Sequence, residues 1–319
     1  MHAQKHFDTI GSLALFGSIL CWSMTPPFLK YLTPYVDGWT TNGVRYPFAA
    51  LLWLGPLLYQ YRRGAVPPWV WKAALLPTFV NVGAQGLWAL LPYYIDATWM
   101  GFLARISMPF AILGGFLCFP DERALMRRPS FWTGVLMSAV GFAAMSLGGE
   151  ALPGGRTLVG VVMVLVCGAF YGLYGVAVRH SMRGTRAWIA FPVISLYTSA
   201  VLFVLMFLCG QPERLFDLTL PCFGIMLLSA VLGIACAHTF FYISLEHLGV
   251  AISSGTQLLG PFFTFLWAFL FLGENLTLIQ WVGGLALLLG GGLLLRAQTR
   301  LPLGAADPRK VPIEPKIPD

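Results

Sequence analysis

The sequence predicts an all-α integral membrane protein, in which ten transmembrane helices form two inverted five-helix repeats and both termini lie in the cytoplasm. The first indication is composition, because 57% of the 319 residues are hydrophobic and only 10% are charged, unlike soluble domains. The second is a series of apolar runs of about 20 residues, the length that crosses about 30 Å of hydrocarbon as a helix. The third is an internal repeat, since Pro109 and Glu122 recur in the second half as Pro261 and Glu274.

The ten predicted spans are bounded by charged residues or by Pro and Gly, and short loops join them. Their approximate limits are 11–30, 38–60, 71–94, 98–119, 131–149, 157–178, 187–209, 221–244, 250–272 and 277–296. Within the first span, Pro26 and Pro27 interrupt the backbone hydrogen bonds, so we expect a kink. After the last span the chain is rich in Pro and charge, which predicts a disordered cytoplasmic tail over residues 298–319.

The distribution of basic residues predicts the orientation. The first span is too long for a signal-peptide core, and no small-residue cleavage pattern follows it. With a cytoplasmic amino terminus, fifteen of the twenty Lys and Arg residues fall on the cytoplasmic side, in agreement with the positive-inside rule. The net charge of +7 is therefore explained by topology, and we predict no nucleic-acid partner.

The internal repeat divides the chain into two similar halves. In both halves thirteen residues separate the proline from the glutamate. We predict a cytoplasmic segment at 1–10, a first repeat at 11–149, an outer linker at 150–156 and a second repeat at 157–297. Because each repeat has an odd number of spans, the two insert with opposite orientation. Inverted repeats of this kind place a substrate site near the bilayer midplane, between the halves.

A family resemblance lies in the last part of the second repeat. This segment reads Pro261-Phe-Phe-Thr-Phe-Leu-Trp-Ala-Phe-Leu-Phe-Leu-Gly-Glu274 and is followed by Leu276-Thr277, Gln280, Gly283 and Gly290. It resembles the repeat ending of the EamA-like proteins in the drug/metabolite transporter superfamily. The first half is more divergent, with Phe119-Pro-Asp-Glu122 where Leu-Gly-Glu is usual. The resemblance, over about residues 10–297, implies a ten-helix carrier; members of the superfamily move amino acids, other metabolites, cations and drugs.

Arg105 lies inside the fourth predicted span. A charged side chain at the centre of a membrane helix costs roughly 2.5–3.5 kcal/mol, so it requires a cavity or a partner. Arg105 precedes Pro109 by four residues, as Gln257 precedes Pro261, so the two are equivalent in the repeats and are expected to approach one site. Because a guanidinium binds a carboxylate or phosphate through two bonds, Arg105 is predicted to anchor an anionic or zwitterionic substrate. Pairing with Asp96, or snorkelling outward, is the alternative.

Other candidate residues are polar or aromatic side chains within apolar spans. On the third span, Asn81, Gln85 and Trp88 recur on one helical face, and helix–helix hydrogen bonding is the alternative to substrate contact. The residues predicted to bind substrate are Arg105, Gln257, Trp22, Asn81, Gln85, Trp88, Tyr171, His238 and Tyr242.

Three residues are predicted to take part in proton coupling or gating. His238 and Glu246 lie on the eighth span with Tyr242 between them, and this row could pass protons because histidine titrates near neutral pH. A neutral, structural His238 is the alternative. Arg45 lies nearer the outer end of the second span, where we expect a structural or gating role rather than substrate contact.

An enzyme is not predicted. The sequence has no HExxH, no GxSxG and no paired Asp residues at helical spacing. His238 and Glu246 are about 12 Å apart by helix rise, too far for a catalytic dyad. The six cysteines lie in or at the edges of apolar spans without CxxC spacing, so neither disulfides, a metal site nor a cofactor is predicted.

The prediction is therefore a secondary transporter, in the first place an exporter, of amino acids or other carboxylates, which works by alternating access in the bacterial inner membrane. A phosphorylated-sugar or nucleotide-sugar exchanger ranks second, because it needs several cations at the site. A cation or multidrug exporter ranks third, because no Asp or Glu lies at mid-span. A proton or an exchange partner supplies the energy. The glycines at 283–292 suit either internal packing or a homodimer.

Overall fold

The computed structural model describes residues 8–94, 107–120, 122–147, 158–260, 262–264, 266–267 and 277–299, and all regular elements in these ranges are helical. The first half has the helices α1 (Thr9–Ser23), α2 (Thr25–Leu32), α3 (Gly38–Arg62), α4 (Trp69–Ala73), α5 (Leu75–Leu90), α6 (Ser107–Cys118), α7 (Arg123–Met126) and α8 (Pro129–Leu147). The second half has α9 (Leu158–Ser181), α10 (Ala187–Cys209), α11 (Leu220–Ala230), α12 (Ala237–Leu248), α13 (Val250–Thr256) and α14 (Leu278–Thr299). Short 3-10 helices lie at Leu91–Tyr93, Pro212–Asp217 and Gln257–Leu259, and a π-helix at Val231–Cys236 joins α11 to α12.

Several helical segments have the length and apolarity of membrane spans. Within the described ranges these are Thr9–Leu32, Trp69–Tyr93, Ala187–Cys209 and Leu220–Leu248. Large apolar side chains project outward from them, as at Phe79 and Leu208, which are 70% and 74% exposed. Such an apolar exterior is what a helix bundle presents to lipid. The total of ten spans and the cytoplasmic position of both termini stay predictions.

Local sequence explains how the first helices begin and end. Asp8 caps α1, since its Oδ1 accepts a hydrogen bond of 2.9 Å from Gly11 N, and Asp37 caps α3 in the same way at Thr40 N. The break between α1 and α2 falls at Met24, two residues before the first of the two prolines of α2. The predicted interruption of the backbone hydrogen bonds is observed there, as expected for prolines that lack N–H groups.

The helix contacts repeat when the two halves are exchanged. α1 of the first half packs on α12 of the second. In the exchanged arrangement, α9 takes the place of α1 and α5 takes the place of α12, and these two helices also pack on each other. Three further pairs join counterparts directly: α3 with α10, α6 with α13, and α8 with α14. Two related five-helix repeats facing each other would give this arrangement, and it places the interface between the halves at the centre of the bundle.

The glycines of the last helix are used for packing within the chain. A Cβ on Gly134 would lie 2.9 Å from the carbonyl oxygen of Gly290, and a Cβ on Gly141 would lie 2.6 Å from that of Gly283. α8 and α14 therefore approach at backbone contact distance, as small residues allow in membranes. Internal packing, one of the two alternatives for these glycines, is thus observed; a homodimer stays a prediction.

A cluster of charged residues marks one end of the bundle, which we call the Asp8 end. Asp8 Oδ2 lies 2.9 Å from His247 Nδ1, so α1 begins where α12 ends. About one turn after His247, the N–H groups of Val250 and Ala251 donate hydrogen bonds to the Glu122 carboxylate, at 2.7 Å and 2.9 Å. The same carboxylate pairs with the buried guanidinium of Arg179. Glu122 therefore joins the first half of the chain to two helices of the second.

Candidate functional site

A cavity of about 110 Å³ lies between the two halves, and we call it the central cavity. It is bordered by the α1–α2 kink, α3, α5, α6, α9, the π-helix, α12 and the α13 region. The lining residues are Trp22, Thr25, Pro26, Arg45, Gln85, Trp88, Ser107, Ala111, Tyr171, Gly172, Tyr174, Gly233, Ile234, His238, Phe241, Ser254, Gln257 and Thr264.

The structure brings most of the predicted site residues to this cavity. Those that line it are Trp22, Arg45, Gln85, Trp88, Tyr171, His238 and Gln257. Asn81, Tyr242 and Glu246 lie elsewhere, and Arg105 lies outside the described residues. A cavity is therefore present where several of the predicted residues meet.

Arg45 contributes a buried positive charge to the central cavity. Its side chain is 1% exposed, Nη1 donates to Asn42 Oδ1 at 3.2 Å and Nη2 donates to the Ser229 carbonyl at 3.2 Å. Nε has no protein partner. Asn42 is itself fixed, since its Nδ2 donates to the Gln85 carbonyl at 2.7 Å. The guanidinium is thus held in place by neutral groups, and no Asp or Glu is among the described residues that line the cavity.

The π-helix at Val231–Cys236 shapes the wall next to Arg45. Its wider turn leaves backbone carbonyls available to side chains, as π-bulges at functional sites often do. Trp22 Nε1 donates to the Gly233 carbonyl at 3.0 Å, and His238 Nδ1 lies 3.2 Å from the Ile234 carbonyl. A Cβ on Gly233 would lie 2.6 Å from Thr25 Oγ1 and 3.3 Å from Arg45 Nη2, so only glycine leaves the cavity its present width here.

His238 is held by aromatic rings and has one nitrogen left for other partners. The imidazole stacks on Phe191 with centroids 5.8 Å apart, and Trp22 meets it edge-on at 5.1 Å. If the Nδ1–H donates to the Ile234 carbonyl, Nε2 carries a lone pair. Nε2 is buried and has no hydrogen-bond partner among the described residues.

Two further polar side chains of the cavity have buried atoms without protein partners. Gln257 donates from Nε2 to Ser18 Oγ at 3.0 Å, while its Oε1 has none. Thr25 Oγ1 is likewise unpartnered. Buried polar atoms are normally paired. Together with Arg45 Nε and His238 Nε2, they are four buried polar atoms of lining residues without hydrogen-bond partners among the described residues.

The rest of the wall is aromatic. Trp88 and Tyr171 meet edge-to-face with centroids 5.8 Å apart, and Trp22 packs against Phe241 at 5.1 Å. Trp22 and Tyr171 occupy equivalent positions in the two repeats. A cavity with few polar groups set in apolar walls is the usual form of a small-molecule site.

The remaining predicted residues have other surroundings. Asn81 Nδ2 donates to Thr198 Oγ1 at 3.2 Å, the helix–helix bond that was the alternative for this face. Tyr242 and Glu246 line a second, smaller cavity at the Asp8 end. The residues predicted to pass protons therefore line two different cavities: His238 lines the central cavity, and Tyr242 and Glu246 line the second.

Several lining residues were not predicted. Tyr174 follows Tyr171 by about one helical turn and lines the same cavity. This spacing could have indicated that Tyr174 lies on the same helical face as Tyr171. Ser254 and Thr264 are polar residues in apolar runs and gave a weak signal of the same kind. Gly233 gave none, because no sequence pattern distinguishes a π-helix from the α-helix around it. All six cysteines are free.

Comparisons with known proteins bear on the fold and on the family. No curated protein sequence matches this chain. One solved crystal structure superimposes on 91% of this chain and 98% of its own, with a TM-score of 0.71 and 18% sequence identity. At that identity the similarity shows the fold alone.

The family assignment comes from the second half of the chain. Residues 158–296 match the EamA-like transporter family, which lies within the predicted second repeat and agrees with the resemblance drawn from its closing segment. The family is one of membrane transporters in the drug/metabolite transporter superfamily. Residues 158–296, somewhat less than half of the chain, therefore match the EamA-like transporter family, and this match indicates a membrane transporter of the drug/metabolite transporter type.

Proposed function

We propose that this transporter carries a small carboxylate, an amino acid in the first place, and that Arg45 binds the carboxylate group in the central cavity. One observation carries the proposal: a fully buried guanidinium faces a cavity in which no described lining residue is acidic. The sequence had favoured Arg105 for this role and a structural role for Arg45. Arg105 lies outside the described residues and stays a second, sequence-based candidate.

The energetics of a buried charge support an anionic ligand. An ionised side chain away from water is costly unless it is paired and fully hydrogen-bonded. Arg45 has two neutral acceptors, at 3.2 Å each, and an unused Nε–H. A carboxylate could accept from Nε and supply the missing opposite charge, and charge-assisted bonds of this type are about twice as strong as neutral ones.

The other polar atoms favour a ligand that also carries donors. Gln257 Oε1 and His238 Nε2 are buried acceptors without protein partners. An ammonium group donates to such acceptors, so the combination of Arg45 with these two atoms suits a zwitterion better than a plain carboxylate. An amino acid presents both groups on one carbon.

The size of the cavity also bears on the alternatives. At about 110 Å³, it is small beside the roughly 300–1,000 Å³ of pockets that hold drug-sized ligands. Nucleotide sugars would in addition need several cationic groups, and Arg45 is the one arginine among the described lining residues. A cation exporter would need an acidic group, and none lines the cavity in the described part of the chain. These features support a small carboxylate over the three alternatives.

The remaining elements of the proposal come from the sequence. Alternating access between the two halves, export from the cell, coupling through His238 and a bacterial inner-membrane location all follow from the family resemblance and the residue pattern. The aromatic wall formed by Trp22, Trp88 and Tyr171 would enclose the apolar part of the ligand.

The proposal is tested by the thermal stability of the purified protein in detergent with a ligand panel. Ligands that bind the folded state alone raise stability by mass action. The panel pairs each amino acid with its carboxamide and with the corresponding amine, and the proteins are the parent, Arg45→Gln and the exposed-site control Arg214→Gln. We expect at least one amino acid, and neither of its analogues, to stabilise the parent and the control but not Arg45→Gln.

Two outcomes would contradict the proposal. In one, amines stabilise the parent and carboxylates do not. In the other, a carboxylate stabilises the parent and Arg45→Gln equally. Arg105→Gln, measured in parallel, shows whether the sequence-based candidate contributes to the same response.

A further inference from the structure

We infer that the second cavity is the compartment of the transport path on the Asp8 side, and that the hydrogen-bonded pair Tyr174–Tyr242 is the gate between it and the central cavity. This inference rests on the proposed transport function and adds a route and a gate to it.

The second cavity lies at the Asp8 end and has a volume of about 50 Å³. Its charged lining residues are Arg179, Arg183 and Glu246, and Tyr242 lines it on the side of the central cavity. Arg179 is the residue that pairs with Glu122 at that end of the bundle. The cavity therefore carries both signs of charge, which suits a zwitterion better than a lipid tail or a drug.

The two cavities share a boundary that is one layer of side chains thick. Tyr174 lines the central cavity and Tyr242 lines the second. The two hydroxyl groups are hydrogen-bonded to each other, and the side chains are 2% and 3% exposed. A ligand that moved from one cavity to the other along this line would have to separate the two hydroxyls.

Neighbouring rings hold the tyrosine pair in its closed position. Phe191 meets Tyr242 edge-to-face at 5.7 Å and stacks on His238 at 5.8 Å. Tyr174 lies 6.1 Å from His238. His238 is thus both a lining residue of the central cavity and a neighbour of the gate, so a ligand that contacts His238 is one side chain away from the gate.

A hydroxyl pair is suited to a gate because its bond is weak and replaceable. The rings block the path by their bulk, while the single bond between the hydroxyls fixes their position. Both Tyr174 and Tyr242 come from helices of the second half, α9 and α12, but α12 packs on α1 and α9 packs on α5 of the first half. The two tyrosines therefore lie on helices that contact different helices of the first half.

The gate can be tested by cysteine labelling without knowledge of the substrate. In a background in which the six native cysteines are replaced, Ser254→Cys puts a reporter on the wall of the central cavity. A membrane-impermeant maleimide is applied to spheroplasts and to inverted vesicles. A second reporter, Arg186→Cys in the exposed loop after α9, identifies the preparation that presents the Asp8 end.

The gate variants are Tyr174→Phe and Tyr242→Phe, which keep the rings and remove the hydroxyl bond, and Tyr242→Ala, which also removes a ring. The control is Tyr197→Phe, a residue that packs on Trp71 and lines neither cavity. We expect the reporter to be labelled from the Asp8 side about 2- to 10-fold faster in each Phe variant than in the parent, faster still in Tyr242→Ala, and unchanged in the control.

Parental labelling rates in all three gate variants would overturn the inference, as would an equal rise in Tyr197→Phe. Monodisperse elution of each variant on size exclusion confirms that folded protein is compared. The labelling experiment contains no substrate, so its failure leaves the carboxylate proposal standing, and a failure of the ligand panel leaves the gate standing.

Discussion

Replacement of Glu122 tests how the two halves are held together. Glu122 follows the sixth helix of the first half, and its carboxylate makes three buried contacts with the second half: the N–H groups of Val250 and Ala251 and the guanidinium of Arg179. The side chains of the ion pair are 5% and 6% exposed. Glu122→Gln keeps the shape but removes the charge and leaves one acceptor oxygen where the carboxylate used two, while Glu122→Ala removes all three contacts.

The expected cost follows from these contacts. Removal of one partner of a buried ion pair costs about 3–5 kcal/mol, and each buried N–H left unpaired adds about 1–3 kcal/mol. We therefore expect Glu122→Gln to lower the free energy of unfolding by about 3 kcal/mol and Glu122→Ala by about 5 kcal/mol or more. At roughly 2–4 °C per kcal/mol, the Gln variant should melt about 6–12 °C below the parent.

The assay is thermal unfolding in detergent at one fixed heating rate. The matched control is Glu213→Gln, the same chemical change at an exposed glutamate, for which we expect a change within about 0.5 kcal/mol. A double variant with Arg179→Gln should cost less than the sum of the single variants, because the two residues interact. The reasoning is refuted if Glu122→Gln melts with the parent, or if the double variant is strictly additive.

Three further predictions concern packing and the cavity wall. Gly290→Ala should lower the melting temperature by an amount equivalent to about 1–3 kcal/mol, because its Cβ would collide with the Ser138 hydroxyl; Gly292→Ala, whose Cβ would meet nothing within 4 Å, should not. Asn81→Ala should cost about 1 kcal/mol of stability and leave the ligand response in the thermal panel unchanged, because this side chain bonds to a neighbouring helix. Gly233→Ala should keep a folded protein, seen as monodisperse elution, and lose the ligand response, because its Cβ would enter the central cavity 2.6 Å from a wall hydroxyl.

The helices were largely predictable because a membrane span requires a long run of apolar residues, which is visible in the sequence. The predicted limits 187–209 coincide with α10 (Ala187–Cys209), and the break at Met24 follows from the two prolines. Both features depend on local chemistry, namely the apolar length a bilayer requires and the missing proline N–H groups. The glycines of α14 predicted a close helix contact, but the sequence did not show whether the partner was a helix of the same chain, such as α8, or a second copy of the protein.

The sequence predicted several of the residues that line the central cavity but not the surroundings of each one. Gln85 and Trp88 share a helical face, and the periodicity placed both on the cavity wall. Asn81 lies on the same face of α5, one turn before Gln85. At that level α5 packs on α10, and the Asn81 side chain donates a hydrogen bond to Thr198 of α10. Arg45 was predicted to have a structural or gating role from its position nearer the outer end of the second span, and its place on the wall of the central cavity could not be read from a position along one helix.

The π-helix lay beyond sequence reasoning altogether. It accompanies tertiary hydrogen bonds that Trp22 and Arg45 donate to the carbonyls of Gly233, within it, and of Ser229, just before it. Because those donors are nearly two hundred or more residues away, no window of the eighth span contains them. The pairing of Tyr174 with Tyr242 is likewise a contact between distant helices.

The central claim, that a small carboxylate is moved through the cavity of Arg45, is tested most directly by counterflow in proteoliposomes. Vesicles with the parent, Arg45→Gln or no protein are loaded with an unlabelled amino acid mixture, and entry of each radiolabelled amino acid is followed. We expect vesicles with the parent protein to accumulate at least one amino acid transiently. For that same amino acid, vesicles with Arg45→Gln should show no more uptake than vesicles without protein. The central claim is contradicted if the parent accumulates none of them, or if Arg45→Gln accumulates the same amino acid as fast as the parent.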